Sequence, residues 1–142
     1  MAQEVKIMIV DDESSVLESF KQILQIKDYV VDGFLDGPAA IKDLKQGAYD
    51  LAFVDLRLPV MDGIEVLKKI KEIDPEIEVI IVTAYATEAS HANAITLGAL
   101  EYLRKPFLME EIYELVDRGL RRRRSKGVKR EGPPPVPPPA IH

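Results

Sequence analysis

Residues 5–13 read VKIMIVDDE, an apolar run that ends in three adjacent acids, Asp11, Asp12 and Glu13. The run does not alternate between apolar and polar residues. Continuous apolar character suits a strand buried on both faces, as in a parallel sheet covered by helices. Side-by-side carboxylates repel, so acids gathered at the lip of a core require an explanation from the rest of the chain.

Four further apolar runs follow: YVVDGF (29–34), DLAFVD (50–55), EVIIVT (78–83) and the shorter ALEYL (99–103). Between them lie segments with helical spacing. In SVLESFKQILQI the residues Val16, Leu17, Phe20, Ile23 and Leu24 form one stripe, which Ile26 would extend. Pro38 followed by AAIKDLKQ and Gly47 gives a start at Pro and a stop at Gly. IEVLKKIKEI ends before Pro75, EASHANAITL ends at Gly98, and EEIYELVDRGL begins soon after Pro106. The order is β-α five times over. Strict alternation with short loops implies right-handed βαβ crossovers, hence an α/β doubly wound parallel sheet with helices on both faces.

Such sheets bind ligands beyond the carboxyl ends of their strands. That rule brings Asp11 and Asp12, Asp55, Thr83 and Lys105 to one edge. Three carboxylates there call for a cation, and oxygen ligands without His or Cys suit a hard ion such as Mg²⁺, with Mn²⁺ as a substitute. A carboxylate is also a competent nucleophile toward phosphorus, giving an aspartyl phosphate at Asp55. Each residue has a plainer reading. Glu13 fits best as a cap of the first helix, Asp55 alone would be a solvated strand-end acid, Thr83 an ordinary strand residue and Lys105 a solvated surface cation. His91 is expected to be a solvent-facing helix residue without chemistry.

Composition narrows the function classes. The chain has 142 residues, 46% hydrophobic and 30% charged, enough for one domain with a real core. It has no Cys, so no disulfide framework or thiolate site is available. No apolar run approaches the ~20 residues that cross a bilayer, so no membrane partner is expected. Residues 1–6, MAQEVK, lack the basic and apolar regions of a secretory signal. A cytoplasmic protein is therefore expected. Residues 1–117 carry 11 Lys and Arg against 23 Asp and Glu, a net of −12, whereas residues 118–142 carry a net of +7. The acidic body argues against direct nucleic-acid binding.

Taken together, VDD (10–12), DLRLPVMDG (55–63), VTAYA (82–86) and YLRKPF (102–107) resemble the receiver domain of two-component response regulators, the CheY-like superfamily. The resemblance covers about residues 4–120, and the phrase DLRLPVMDGIEVLKKIK is similar to receivers of the nitrogen-regulatory and sigma-54 activator type. It implies a flavodoxin-like (βα)₅ fold with strand order 2-1-3-4-5. It implies Asp55 as phosphoacceptor and Mg²⁺ held by Asp12, Asp55 and the backbone carbonyl of Arg57, with Asp11 acting mostly through water. Thr83 and Lys105 would contact the phosphoryl oxygens, Thr83 and Tyr102 would form the switch, and the Lys105–Pro106 bond would be cis. The implied partners are a histidine kinase or histidine phosphotransfer protein, a second copy through the fourth helix, fifth strand and fifth helix, and an output domain beyond residue 142.

The expected role is a phosphoacceptor signalling domain rather than an enzyme. A phosphate-independent pseudo-receiver is the alternative. A phosphohydrolase forming an aspartyl phosphate fits less well, because it needs a second acid two residues past the nucleophile, where Arg57 stands. Leu108 and Met109 offer no side-chain cap for the fifth helix, leaving its dipole to Glu110 and Glu111. Arg57 and Tyr85, each two positions past a site residue, differ from the chemotaxis regulator and bear on the water path to an acyl phosphate. The expected boundary divides residues 1–122, the domain, from residues 123–142, a basic and Pro-rich tail or linker. The basic run is expected to be the solvated end of the fifth helix, and Pro134-x-x-Pro137 is compatible with an SH3-type ligand. Deleting residues 125–142 is expected to leave the rate of phosphorylation unchanged; a large loss of rate in that truncation overturns this.

Overall fold

The computed structural model describes residues 4–127. Its elements alternate as the apolar runs require: β1 (Lys6–Val10), α1 (Ser14–Gln25), β2 (Val30–Phe34), α2 (Gly37–Asp43), β3 (Leu51–Asp55), α3 (Gly63–Ile73), β4 (Glu78–Thr83), α4 (Glu88–Thr96), β5 (Glu101–Arg104) and α5 (Met109–Ser125). The strands form one parallel sheet in the order β2-β1-β3-β4-β5. This is the flavodoxin-like fold with helices on both faces.

Successive strand residues point to opposite faces, and here both faces are covered. Met8, Val10, Ala52, Val54, Val79 and Ile81 pack with Ala40 of α2, Val66, Leu67 and Ile70 of α3, and Ala94 of α4. Ile7, Ile9, Leu51, Phe53, Ile80 and Val82 pack with Leu17, Phe20 and Leu24 of α1 and with Ile112, Leu115 and Val116 of α5. The two cores take up the apolar residues of β1, β3 and β4 on alternate faces, which is why those strands read as nearly unbroken apolar runs. Gly63 opens α3 because nothing larger fits: a Cβ there would lie 2.3 Å from the Asp55 carbonyl oxygen. The end of β3 and the start of α3 are thereby pressed together, and Gly63 N–H donates to Leu56 O at 2.8 Å.

Several helix ends differ from the sequence expectation. Ile26 lies past α1 and is 69% exposed, outside the apolar stripe. α2 starts as expected, with Asp36 accepting from Ala39 N–H and Pro38 in the first turn. It stops at Asp43, well before Gly47, because Leu44 turns to an extended backbone and buries its side chain. Gly47 still provides a left-handed turn (φ 78°), and its N–H donates to Asp74. Glu13 occupies the N-cap position of α1 but its side chain makes no cap bond.

α5 runs to Ser125, past the boundary expected at residue 122, and its basic turn is not simply solvated. Arg123 is 5% exposed, with its Nε 3.4 Å from Asp50 and its Nη1 donating to Glu76 O. Arg122 and Lys126 both reach the buried Glu78, each at 3.3 Å. Arg121 and Arg124 are exposed. The cations thus close the amino-terminal edge of β3 and β4. The Pro-rich stretch lies outside the described residues.

Removing Arg123 takes a buried ion pair from Asp50, which keeps the Lys6 N–H, and a hydrogen bond from Glu76 O. Arg123→Ala is expected to lower unfolding free energy by about 3 kcal/mol in urea titration, and Arg124→Ala by less than about 0.5 kcal/mol. Equal effects would mean the Arg123 contacts do not hold the turn.

Candidate functional site at the carboxyl edge of the sheet

The strand order sets β1 beside β3, so Asp11 and Asp55 emerge side by side. Both are buried, at 2% and 6% exposure, whereas Asp12 is exposed. The backbone fixes one oxygen of each buried acid: Glu13 N–H donates to Asp11 Oδ1 at 2.9 Å and Arg57 N–H to Asp55 Oδ1 at 3.0 Å. The other oxygens face Lys105, whose ammonium donates to Asp11 Oδ2 at 2.9 Å and to Asp55 Oδ2 at 2.8 Å. Lys105 is aligned by its own N–H, which donates to Thr83 O at 2.8 Å. The Lys105–Pro106 peptide is cis.

Burial pushes the Asp11 carboxyl up to about 6, with the neighbouring Asp55 charge adding to the rise; the Glu13 N–H and Lys105 only partly offset this. Burial works the other way on Lys105, but hydrogen bonds to Asp55 and Asp11 outweigh it and hold the ammonium above its ordinary range. The lysine is thus firmly charged while one of its partners is held against an electrostatic cost. One oxygen each from Asp11, Asp12 and Asp55 lies within 4.8 Å of the others. Three clustered oxygen donors without nitrogen or sulfur fit a hard divalent cation.

Thr83 is buried at the end of β4, and its Oγ1 accepts from Tyr85 N–H at 3.0 Å. The Arg57 guanidinium lies over the Tyr85 ring, 4.4 Å from its centroid, joining the loops after β3 and β4. Tyr102 on β5 is partly buried against the α2–α3–α4 core. Its hydroxyl is buried without a hydrogen-bond partner among the described residues. At the start of α5, Leu108 supplies no cap; Glu111 instead accepts from Leu108 N–H at 2.8 Å.

All five residues assigned from sequence to the strand ends therefore meet at one edge. His91 is a solvent-exposed residue of α4, as expected, with contacts that the sequence did not show. It pairs with Glu101 at 2.8 Å and its ring packs against Tyr102. A contact across ten residues between a helix and a strand leaves no mark in local spacing.

A receiver-domain family description, "Response regulator receiver domain", matches residues 7–117. The transcriptional regulatory protein DltR of Streptococcus agalactiae is 34% identical over 108 residues, covering 76% of this chain and 48% of that protein. The transcriptional regulatory protein ZraR of Salmonella typhimurium is 31% identical over 126 residues, covering 89% of this chain and 29% of that protein. The chain thus spans half or less of the length of these relatives. A crystal structure of a CheY-like response regulator receiver domain protein from Methanospirillum hungatei superposes with a TM-score of 0.81 at 30% identity, covering 88% of this chain and all of that one.

Two outcomes follow from the geometry. Lys105→Met leaves two buried carboxylates facing each other without their cation, and is expected to cost about 2–4 kcal/mol in metal-free urea unfolding. Tyr102→Phe removes an unpaired buried hydroxyl and is expected to be neutral or to stabilise by up to about 1 kcal/mol. A stable Lys105→Met protein, or a clear loss in Tyr102→Phe, contradicts these assignments.

Proposed function

The chain belongs to the response regulator receiver domain family of two-component signalling, and from that premise we propose that Asp55 is its phosphoacceptor. The observation that carries this is Lys105 Nζ held between Asp11 and Asp55 at 2.9 and 2.8 Å. A fixed cation beside a buried carboxylate places positive charge where phosphoryl oxygens would gather.

Asp11, Asp12 and Asp55, with the backbone carbonyl of Arg57, would hold Mg²⁺, or Mn²⁺ in its place. When bound, the ion supplies charge neutralisation on the phosphoryl oxygens. The protein's own residues supply the rest. Asp55 Oδ2, released by Lys105, attacks phosphorus; the bond from phosphorus to the donor breaks, and the phosphoryl group passes to Asp55. The donor is the phosphohistidine of a kinase or phosphotransfer protein, or a small acyl phosphate. Lys105 then pairs with a phosphoryl oxygen. Thr83, which accepts from Tyr85 N–H here, still has its own O–H to donate to the same group.

Phosphorylation adds about −1.5 to −2 charge and strong acceptors. Thr83 and Lys105 drawn to that charge would favour one arrangement of the β4–α4 loop, with Tyr102 as the aromatic that follows. The α4–β5–α5 face is the readout, by pairing with a second copy or with an output domain that continues the chain. The named relatives, which are longer, are transcriptional regulatory proteins. The modification occurs once per molecule, as in a switch. No helix among the described residues is long and apolar enough to cross a membrane.

The test is intact mass after incubation with acetyl phosphate and Mg²⁺. A single phosphoryl adduct is expected on the native chain, absent in Asp55→Asn and absent with EDTA. An adduct that persists in Asp55→Asn, or none on the native chain, overturns the assignment.

A further inference from the structure

α4 is lightly seated. Ala94 is its one fully buried residue, and Ile95 is 42% exposed. Polar contacts therefore carry more of its attachment than in α1, α3 or α5. One of them ties α4 to a carboxylate of β5 that other groups also hold. His91 Nε2 lies 2.8 Å from Glu101 Oε1; because a carboxylate only accepts, the imidazole donates. The same oxygen accepts from Tyr102 N–H at 2.9 Å. Arg118 of α5 approaches Glu101 Oε2 at 3.7 Å. Hydrogen bonds from Tyr102 N–H and His91 hold the Glu101 carboxyl below its ordinary range although burial opposes this.

The His91 ring in turn lies against Tyr102, with centroids 5.1 Å apart and planes tilted by 40°. This is an offset ring contact of the favourable kind. The Tyr102 hydroxyl is buried without a partner among the described residues. An unpaired phenol favours any rotamer in which it meets water, and an open groove lined by Thr87, Glu88, His91 and Arg104 borders the ring. Something must oppose that tendency.

We infer that His91, braced by Glu101, is a positioning residue that holds the Tyr102 ring in its partly buried seat. Glu101 fixes the imidazole, and the imidazole closes over the ring. The clasp sets how often Tyr102 leaves its seat before any phosphoryl group arrives. That it thereby biases the signalling switch rests on the role proposed above for Tyr102; the seat itself does not. The clasp shifts the balance only by what it contributes to one state and not the other, which for one ring contact and one half-exposed hydrogen bond is about fivefold.

The experiment is ¹⁹F NMR of the full chain labelled with 3-fluorotyrosine, at fixed pH, without metal or phosphodonor. The chain has five tyrosines, and Tyr102→Phe assigns the signal. His91→Ala is expected to move the Tyr102 signal toward the solvent-exposed shift, with an about fivefold gain in the outward population. Glu101→Ala should move it in the same direction, His91→Phe should retain part of the seat through its ring, and the double variant should add little to His91→Ala. Signals from the distant Tyr29 and Tyr49 should stay fixed. An unmoved Tyr102 signal in His91→Ala and Glu101→Ala overturns the inference. So does a common shift of all the tyrosines, which would mean the pair supports only overall stability. No phosphoryl chemistry enters the measurement, so its failure is distinct from failure of the Asp55 assignment, which intact mass reads.

Discussion

The site depends on one ammonium group between two buried carboxylates. Asp11 and Asp55 sit on neighbouring strands because β1 lies next to β3. At that separation their charges repel, and burial removes the water that would screen them. Lys105 answers both, yet it follows β5, two strands away from β3, a span of about 9–10 Å at ordinary strand spacing. A long stem ending in a compact charge is what that span requires. The sheet order, the length of β5 and the alignment of Lys105 by Thr83 O all serve to deliver this one group.

Much of this was legible in the sequence, for a definite reason. Strands covered on both faces leave unbroken apolar runs, so β1, β3 and β4 declared themselves, and α/β alternation fixed which ends share an edge. Asp11, Asp12, Asp55, Thr83 and Lys105 followed from that rule alone. Strand order needed the family resemblance, as did the proposal that Tyr102 belongs to the switch. Three features were hidden. α2 ends early because Leu44 finds a place in the core, where tertiary packing overrides local propensity. Arg123 reads as one of four equivalent arginines, and only the helix phase sets it against Asp50. His91 meets Glu101 through the packing of α4 on β5. Each depends on contacts between elements, about which residue spacing is silent.

The two edges of the sheet make the case for function by contrast. β3 is flanked by buried acids at both ends, Asp50 and Asp55, while β4 opens on the buried Glu78 and β1 is followed by the buried Asp11. At the amino end, Asp50 and Glu78 face Arg122, Arg123 and Lys126. There cations pair with both acids and secure the last turns of α5, although Glu78 Oε2 accepts no hydrogen bond among the described residues. At the carboxyl end, three acids cluster with Lys105 bonded to two of them. This chain can neutralise a buried acid when only stability is at stake. The cost is visible in Asp11, whose carboxyl rises to about 6 while Lys105 donates to it.

A deficit of positive charge kept at one edge, in a chain that removes it at the other, is a departure from self-consistency of the kind expected at a working site. A divalent cation would correct the deficit only while bound, and a phosphoryl group would deepen it near Thr83 and Lys105. The edge is therefore responsive because it is unbalanced. Neutralising it permanently, with a second lysine for instance, would gain stability and remove the reason for Lys105 or Thr83 to move. The charge imbalance at this edge and its capacity to switch are thus the same physical fact.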